Sequence, residues 1–160
     1  MTRRSLICGV LTSSAALAID LHPPAGKFKA KTLDGETFDN QSVAGKVVLI
    51  QFWATWCQYC RSDESSVETI VREFSSKGLI VLAVDVGESK KKVKQYLEKS
   101  PRSCKIVLTE DTNLAAWYAA KTYPYYVLID REGKLAGEQK GAGGQTSLRR
   151  LLHKSGLDPE

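Results

Sequence analysis

Two kinds of hydrophobic run alternate along this chain. Val47-Val48-Leu49-Ile50-Gln51-Phe52-Trp53 and the stretch from Leu79 to Val86 are almost continuously apolar and rich in β-branched residues, the pattern of strands buried on both faces of a sheet. Between them Val67, Ile70, Val71 and Phe74 recur at helical spacing, predicting a helix from about Cys57 to Lys77 that Gly78 stops. Strand, helix and strand with short connections make a βαβ unit, which implies a parallel pair joined by a right-handed crossover. Upstream, Lys27 to Lys31 and Glu36 to Phe38 flank Leu33-Asp34-Gly35 and read as a short hairpin. Downstream, Gly87-Glu88-Ser89 opens a basic amphipathic helix. A shorter strand (Lys105 to Leu108), a short helix (Asn113 to Ala120), a hairpin (Tyr125 to Ile129 and Lys134 to Gln139 around Arg131-Glu132-Gly133) and a final helix (Thr146 to Lys154) follow. The prediction is an α/β fold, a mixed central sheet flanked by helices on both sides.

The chain has 160 residues, 42% hydrophobic and 26% charged, with no repeat and no linker, which is the profile of one globular domain. A chain of ~150 residues buries roughly 68–70% of its extended surface, so the core holds without disulfides or structural metals. Its four cysteines, Cys8, Cys57, Cys60 and Cys104, are therefore available for other work. Only one pair is close, and the two histidines, His22 and His153, lie far from it in sequence, so no zinc or other metal is expected.

The formal charge of +5 comes from 23 Lys and Arg against 18 Asp and Glu. Residues 1–18 change that balance. A basic start (Arg3, Arg4), an apolar stretch from Leu6 to Leu17 and the small-x-small sequence Ala16-Leu17-Ala18 read as an export signal, leaving a mature domain of residues 19–160. The apolar stretch is shorter than the ~20 residues of a membrane span, so a retained anchor is the secondary reading, as is twin-arginine export. Removing Arg3 and Arg4 leaves 21 positive against 18 negative residues, or +3, which is no nucleic-acid footprint. The run Lys90-Lys91-Lys92-Val93-Lys94 reads as a solvated helix face. Cys8 leaves with the signal.

The chemistry is concentrated in Trp53-Ala54-Thr55-Trp56-Cys57-Gln58-Tyr59-Cys60, two thiols three residues apart where a buried strand turns into a helix. At a helix N-terminus the orphan N–H groups and the positive dipole end favour a thiolate on the first cysteine, while the second lies one turn inward. Cys57 is thus the candidate nucleophile and Cys60 the resolving thiol: Cys57 attacks a partner disulfide, and Cys60 releases the mixed disulfide by closing the Cys57–Cys60 bridge.

The segment Phe52-Trp53-Ala54-Thr55-Trp56-Cys57-x-x-Cys60-Arg61 resembles the active site of the thioredoxin superfamily, and more closely the exported TlpA/ResA-like thiol–disulfide oxidoreductases. Val84-Asp85-Val86-Gly87-Glu88-Ser89-Lys90 is similar to the opening of that family's central helical insertion. Tyr123-Pro124, followed by Val127 to Lys134, is similar to its cis-proline loop and next strand. The resemblance spans about Ala25 to Leu152. It implies that Pro124 follows a cis bond facing the cysteines, so that residue 123 offers its backbone to an extended substrate. A trans proline opening a strand is the alternative. It places Asp63 where relatives have a glutamate thought to assist proton transfer, with Glu64 next door. An acid favoured there by the helix dipole alone is the other reading. Trp56, Tyr59, Tyr123 and Pro124 are the implied substrate-binding residues. Gln51 occupies the place of the superfamily's buried acid and does not titrate, and Ser65 replaces a helix-kinking proline.

The resemblance further implies an extracytoplasmic or periplasmic monomer needing no cofactor beyond its redox disulfide. Its partners would be protein thiols and disulfides, apocytochrome c among them, and an upstream membrane electron donor. Two rivals share the fold: a peroxiredoxin-like peroxide reductase, which needs Thr-x-x-Cys where this chain has Thr55 two residues before Cys57, and a non-catalytic binding or chaperone module with a structural disulfide. Cys104 is left as a buried thiol, a regulatory partner or an intermolecular bridge.

Overall fold

A computed structural model describes residues 23–158. The segment 1–18 expected to be an export signal, with Cys8, Arg3 and Arg4, and the first residues of the expected mature domain, including His22, lie outside the described residues.

Seven strands form one mixed sheet in the order β2-β1-β5-β4-β3-β6-β7. β3 (Val47–Trp53) is buried at every position, as its apolar run predicts. It pairs in parallel with β4 (Leu79–Asp85) from Val47↔Leu79 to Trp53↔Asp85, and antiparallel with β6 (Tyr125–Ile129) on its other side. Between β3 and β4 runs α1 (Gln58–Phe74), which a 3-10 turn (Ser75–Lys77) ends at Gly78, whose φ of +91° suits glycine. α1 continues unbroken through Ser65. α2 (Lys90–Lys99), capped by Ser89, links β4 to the parallel β5 (Lys105–Thr112). Its basic residues face outward and only Val93 is buried, as a solvated face requires.

The pleat separates two cores. Val47, Leu49 and Trp53 point to a layer made by α1, α2 and α4 (Gly144–His153), against Ile70, Phe74, Val93, Leu148 and Leu152. Val48, Ile50 and Phe52 point to the opposite face. Its helical cover is the short α3 (Leu114–Trp117), whose Leu114 lies there beside Ala25 and Phe28 of the N-terminal segment, so helices flank both sides of the sheet as expected. The segment is held by Ala25 N–H donating to Gly133 O (3.1 Å) and by a bridge between Pro24 and Lys134.

The boundaries of β5, α3 and α4 differ from the sequence reading, those of β5 and α4 through a long-range contact. The hairpin of β1 (Lys29–Thr32) and β2 (Thr37–Asp39) adds to the sheet edge, where β1 pairs antiparallel with β5. This carries β5 past Leu108 into the polar Glu110 and Asp111, which an apolar pattern does not mark as strand. α3 is shorter than Asn113 to Ala120, the chain leaving it through Ala119 at φ +46°. α4 starts at Gly144, two residues early, because a distant carboxylate takes the N–H groups of Gly143 and Gly144. β7 (Leu135–Lys140) completes the sheet beside β6.

Candidate active site

Beyond Trp53 the chain leaves β3 and turns. Cys57 N–H donates to Ala54 O (3.1 Å), and Cys57 becomes the N-cap of α1, its Sγ accepting the Cys60 N–H at 3.1 Å. The helix therefore begins at Gln58 rather than Cys57. Cys57 and Cys60 form a disulfide with Cα atoms 5.2 Å apart, and both are almost fully buried. On reduction the Cys57 sulfur sits where the first-turn N–H groups of a 17-residue helix converge, the arrangement that stabilises a thiolate.

The turn before Cys57 is fixed by its neighbours. Thr55 donates its N–H to Glu88 Oε2 (2.6 Å) and its hydroxyl to Glu88 Oε1 (2.7 Å). Its carbonyl accepts from Arg61 of α1 (3.3 Å).

The aromatic residues singled out in the sequence surround the pair on the solvent side. Trp56 is 59% exposed and Tyr59 69% exposed, unusual for such large apolar surfaces. The Tyr123–Pro124 bond is cis, as the resemblance implied. The Tyr123 ring meets Trp56 edge-on with centroids 6.1 Å apart, which brings the cis-proline loop against the dithiol turn. Pro124 is buried and its carbonyl accepts Gly141 N–H (2.8 Å).

Asp63 lies one turn beyond Cys60 and is buried. Its carboxylate accepts the Tyr126 hydroxyl (3.0 Å), Gly143 N–H (3.2 Å) and Gly144 N–H (2.9 Å), so it caps α4 from α1. Burial and the adjacent Asp63 carboxylate push the Tyr126 phenol far above its ordinary range, so it stays a donor. Glu64 points elsewhere: it accepts the Tyr96 hydroxyl and Ser100 Oγ (2.9 Å), tying α1 to the end of α2. Burial and then Glu64 push Tyr96 up to about 12.

Tyr126 and Arg102, which lie in the polar row beside Asp63, escaped the sequence reading. Gln51 inside an apolar strand was the only hint, because a buried amide must find partners. It donates to the Tyr126 hydroxyl (3.1 Å) and accepts from Arg102 Nη2 at 2.6 Å. Arg102, whose side chain is 1% exposed, lies under the Trp53 ring at 4.8 Å and has Nε 3.9 Å from Glu68 Oε1, too far for a hydrogen bond. A row Arg102–Gln51–Tyr126–Asp63 thus runs beneath the CxxC helix. No periodicity marks Arg102, a single charge between Pro101 and Ser103.

Cys104 is a free, buried thiol, pushed up to about 11 mainly by burial, which keeps it protonated and unreactive. Among the described residues no group of three His, Cys, Asp or Glu side chains gathers as a metal site.

The AhpC/TSA family matches residues 22–137. The chain is 33% identical over 131 residues to the thioredoxin-like protein YneN of Bacillus subtilis, covering 80% of this chain and 76% of that one. It is 25% identical over 150 residues to the thiol-disulfide oxidoreductase ResA of Bacillus thuringiensis, covering 94% and 86%. Among solved structures it superposes on a putative thiol:disulfide interchange protein DsbE from Chlorobium tepidum with a TM-score of 0.75 at 23% identity, covering 84% of this chain and 96% of that one. That likeness establishes the thioredoxin-like fold. A Cys-x-x-Cys disulfide at a helix N-terminus, a cis-proline loop against it and these relatives agree: the chain belongs to the AhpC/TSA family, as one of its ResA-like thiol–disulfide oxidoreductases.

Proposed function

We propose that the protein is a reductant of protein disulfides outside the cytoplasm. The observation that carries this reading is the placement of the Cys57–Cys60 pair at the start of α1 beneath two exposed aromatic rings and beside the Tyr123–Pro124 loop. In the reduced enzyme the Cys57 thiolate attacks a substrate disulfide. One substrate sulfur leaves as a thiolate and takes up a proton, and a Cys57–substrate disulfide forms. Cys60, after losing its proton, attacks Cys57 Sγ, expels the second substrate thiolate and restores the Cys57–Cys60 bond. Two electrons and two protons pass to the substrate. A dithiol donor at the membrane would reload the enzyme.

Trp56, Tyr59 and Tyr123 supply rigid aromatic surface, and the backbone at Tyr123 and Pro124 supports an extended segment. This suits unfolded or disulfide-strained chains, among which apocytochrome c, with its Cys-x-x-Cys-His haem sites, is the specific candidate. Asp63 supports the reaction from one turn beyond Cys60, holding α1 against α4 and acting as the candidate acceptor of the Cys60 proton. The basic, small-x-small N-terminal sequence and the ResA relatives support export.

Insulin-disulfide reduction tests the reading. Cys57→Ser abolishes turnover, and undiminished turnover by that variant contradicts the proposal. A peroxidase reading would need the Thr55 hydroxyl at the reacting thiol, whereas it is bonded to Glu88. Absence of peroxide turnover by the reduced protein is the expected result.

A further inference from the structure

Asp85 ends β4 at the level of Trp53, completely buried. Its Oδ1 accepts the Glu88 N–H (3.1 Å), while Oδ2 has no donor among the described residues. The carboxyl group within hydrogen-bonding reach is that of Glu88, whose side chain is only 4% exposed. Two carboxylates facing each other in a buried site, with one oxygen lacking any donor, are unfavourable; one shared proton removes both faults. Glu88 is the natural carboxylate of the two, since it holds Thr55 N–H, Thr55 Oγ1 and Lys92 Nζ (2.5 Å).

We propose that Asp85 holds a carboxylic-acid proton shared with Glu88, and that this acid–carboxylate pair latches Thr55 and so positions the turn that carries Cys57. Its effect on catalysis rests on the disulfide-exchange reading of the site. Glu88 and Asp85 touch neither sulfur; they are positioning residues. Thr55 is separated from Cys57 by Trp56 alone, so the two Glu88 bonds fix the approach of the backbone to the nucleophile and the seat of the exposed indole.

The charged groups facing the pair are few. Lys92 comes from α2 and Arg61 from α1, by way of the Thr55 carbonyl. From β5, Thr109 gives its hydroxyl to Asp85 O (2.5 Å) and accepts Gly87 N–H (3.2 Å). Burial first, and then the Glu88 carboxylate, raise Asp85 to about 7. Burial opposes the ionisation of Glu88 too, but Lys92, Asp85 and Thr55 together hold it down to about 2. When the Asp85 proton leaves to solvent, the new charge gains no donor beyond the Glu88 N–H and repels the Glu88 carboxylate, loosening its hold on Thr55.

The oxidised protein offers a clean test, because the disulfide removes both active-site thiols from titration. The amide shifts of Thr55 and Glu88, followed by NMR from pH 5 to 9, should inflect together near pH 7, with hydrogen-exchange protection of Thr55 falling at least threefold beyond that expected from base catalysis alone. Asp85→Asn keeps the acceptor for Glu88 N–H and replaces the acid proton by an amide N–H, so it should retain protection and lose the inflection. Amide shifts that stay flat across this range, or an inflection that survives in Asp85→Asn, overturn the latch. Insulin reduction measured on the same preparations keeps the two readings apart: a titrating latch in an inactive protein supports the latch and refutes the reductase, and an active protein without the titration refutes the latch alone.

Discussion

Single residues decide the character of this site, and the buried polar ones do so most. Asp85 is an acid whose folded-state pKa lies above its unfolded value, so its contribution to stability is intact in acid and is lost as pH rises from about 4 to about 7. Over that window the unfolded chain has already released a proton that the folded chain still holds. Asp85→Asn should therefore gain stability relative to the parent across this range in urea titrations, and a constant difference between the two proteins contradicts the assignment. Arg102 behaves differently, because it is charged throughout. Arg102→Met fills the space under Trp53 but removes the donor to Gln51 Oε1, and should cost about 1–3 kcal/mol in the same titrations. A neutral or stabilising outcome would mean that burying the guanidinium costs as much as its contacts return.

At the scale of elements, α1 is the part that matters, since it carries both cysteines on one end and is braced along its length. Glu64 holds it to α2, and Asp63 holds it to α4. Asp63→Ala strips the acceptor from two α4 N–H groups and the Tyr126 hydroxyl, and should lower stability by about 2–4 kcal/mol. Asp63→Asn keeps much of the cap while removing the charge. If the carboxylate serves only the cap, the Asn variant retains the parent pH profile of insulin reduction; if it also assists the Cys60 proton, that profile shifts. The elements themselves were legible. The unbroken run of β3, the spacing in α1 and the stop at Gly78 are local patterns that tertiary structure obeyed. Where the sequence misled, a partner far along the chain intervened. β1 extends β5 over polar residues, and Asp63 starts α4 early. The cysteines and the cis-proline loop were readable from motif; Arg102, Glu88 and Asp85 act through pairings that no spacing rule encodes.

For the whole molecule, the proposed working face is where the start of α1, the Thr55 turn and the Tyr123–Pro124 loop meet. Trp56 and Tyr59 leave apolar surface in water there, which a protein substrate would cover and a small disulfide would not. Trp56→Ala with Tyr59→Ala should raise KM for a protein disulfide about tenfold while changing the reduction of a small aromatic disulfide by less than about twofold. Equal losses on both substrates would place the rings in shielding the dithiol instead. The remaining thiol among the described residues, Cys104, is buried and should contribute nothing to exchange. The most direct test of the account is capture of the intermediate. Reduced Cys60→Ser protein, mixed with a disulfide-bonded peptide and analysed by mass spectrometry of its proteolytic fragments, should accumulate a mixed disulfide at Cys57. Capture at Cys104, or no adduct under conditions where the parent turns over, would contradict it.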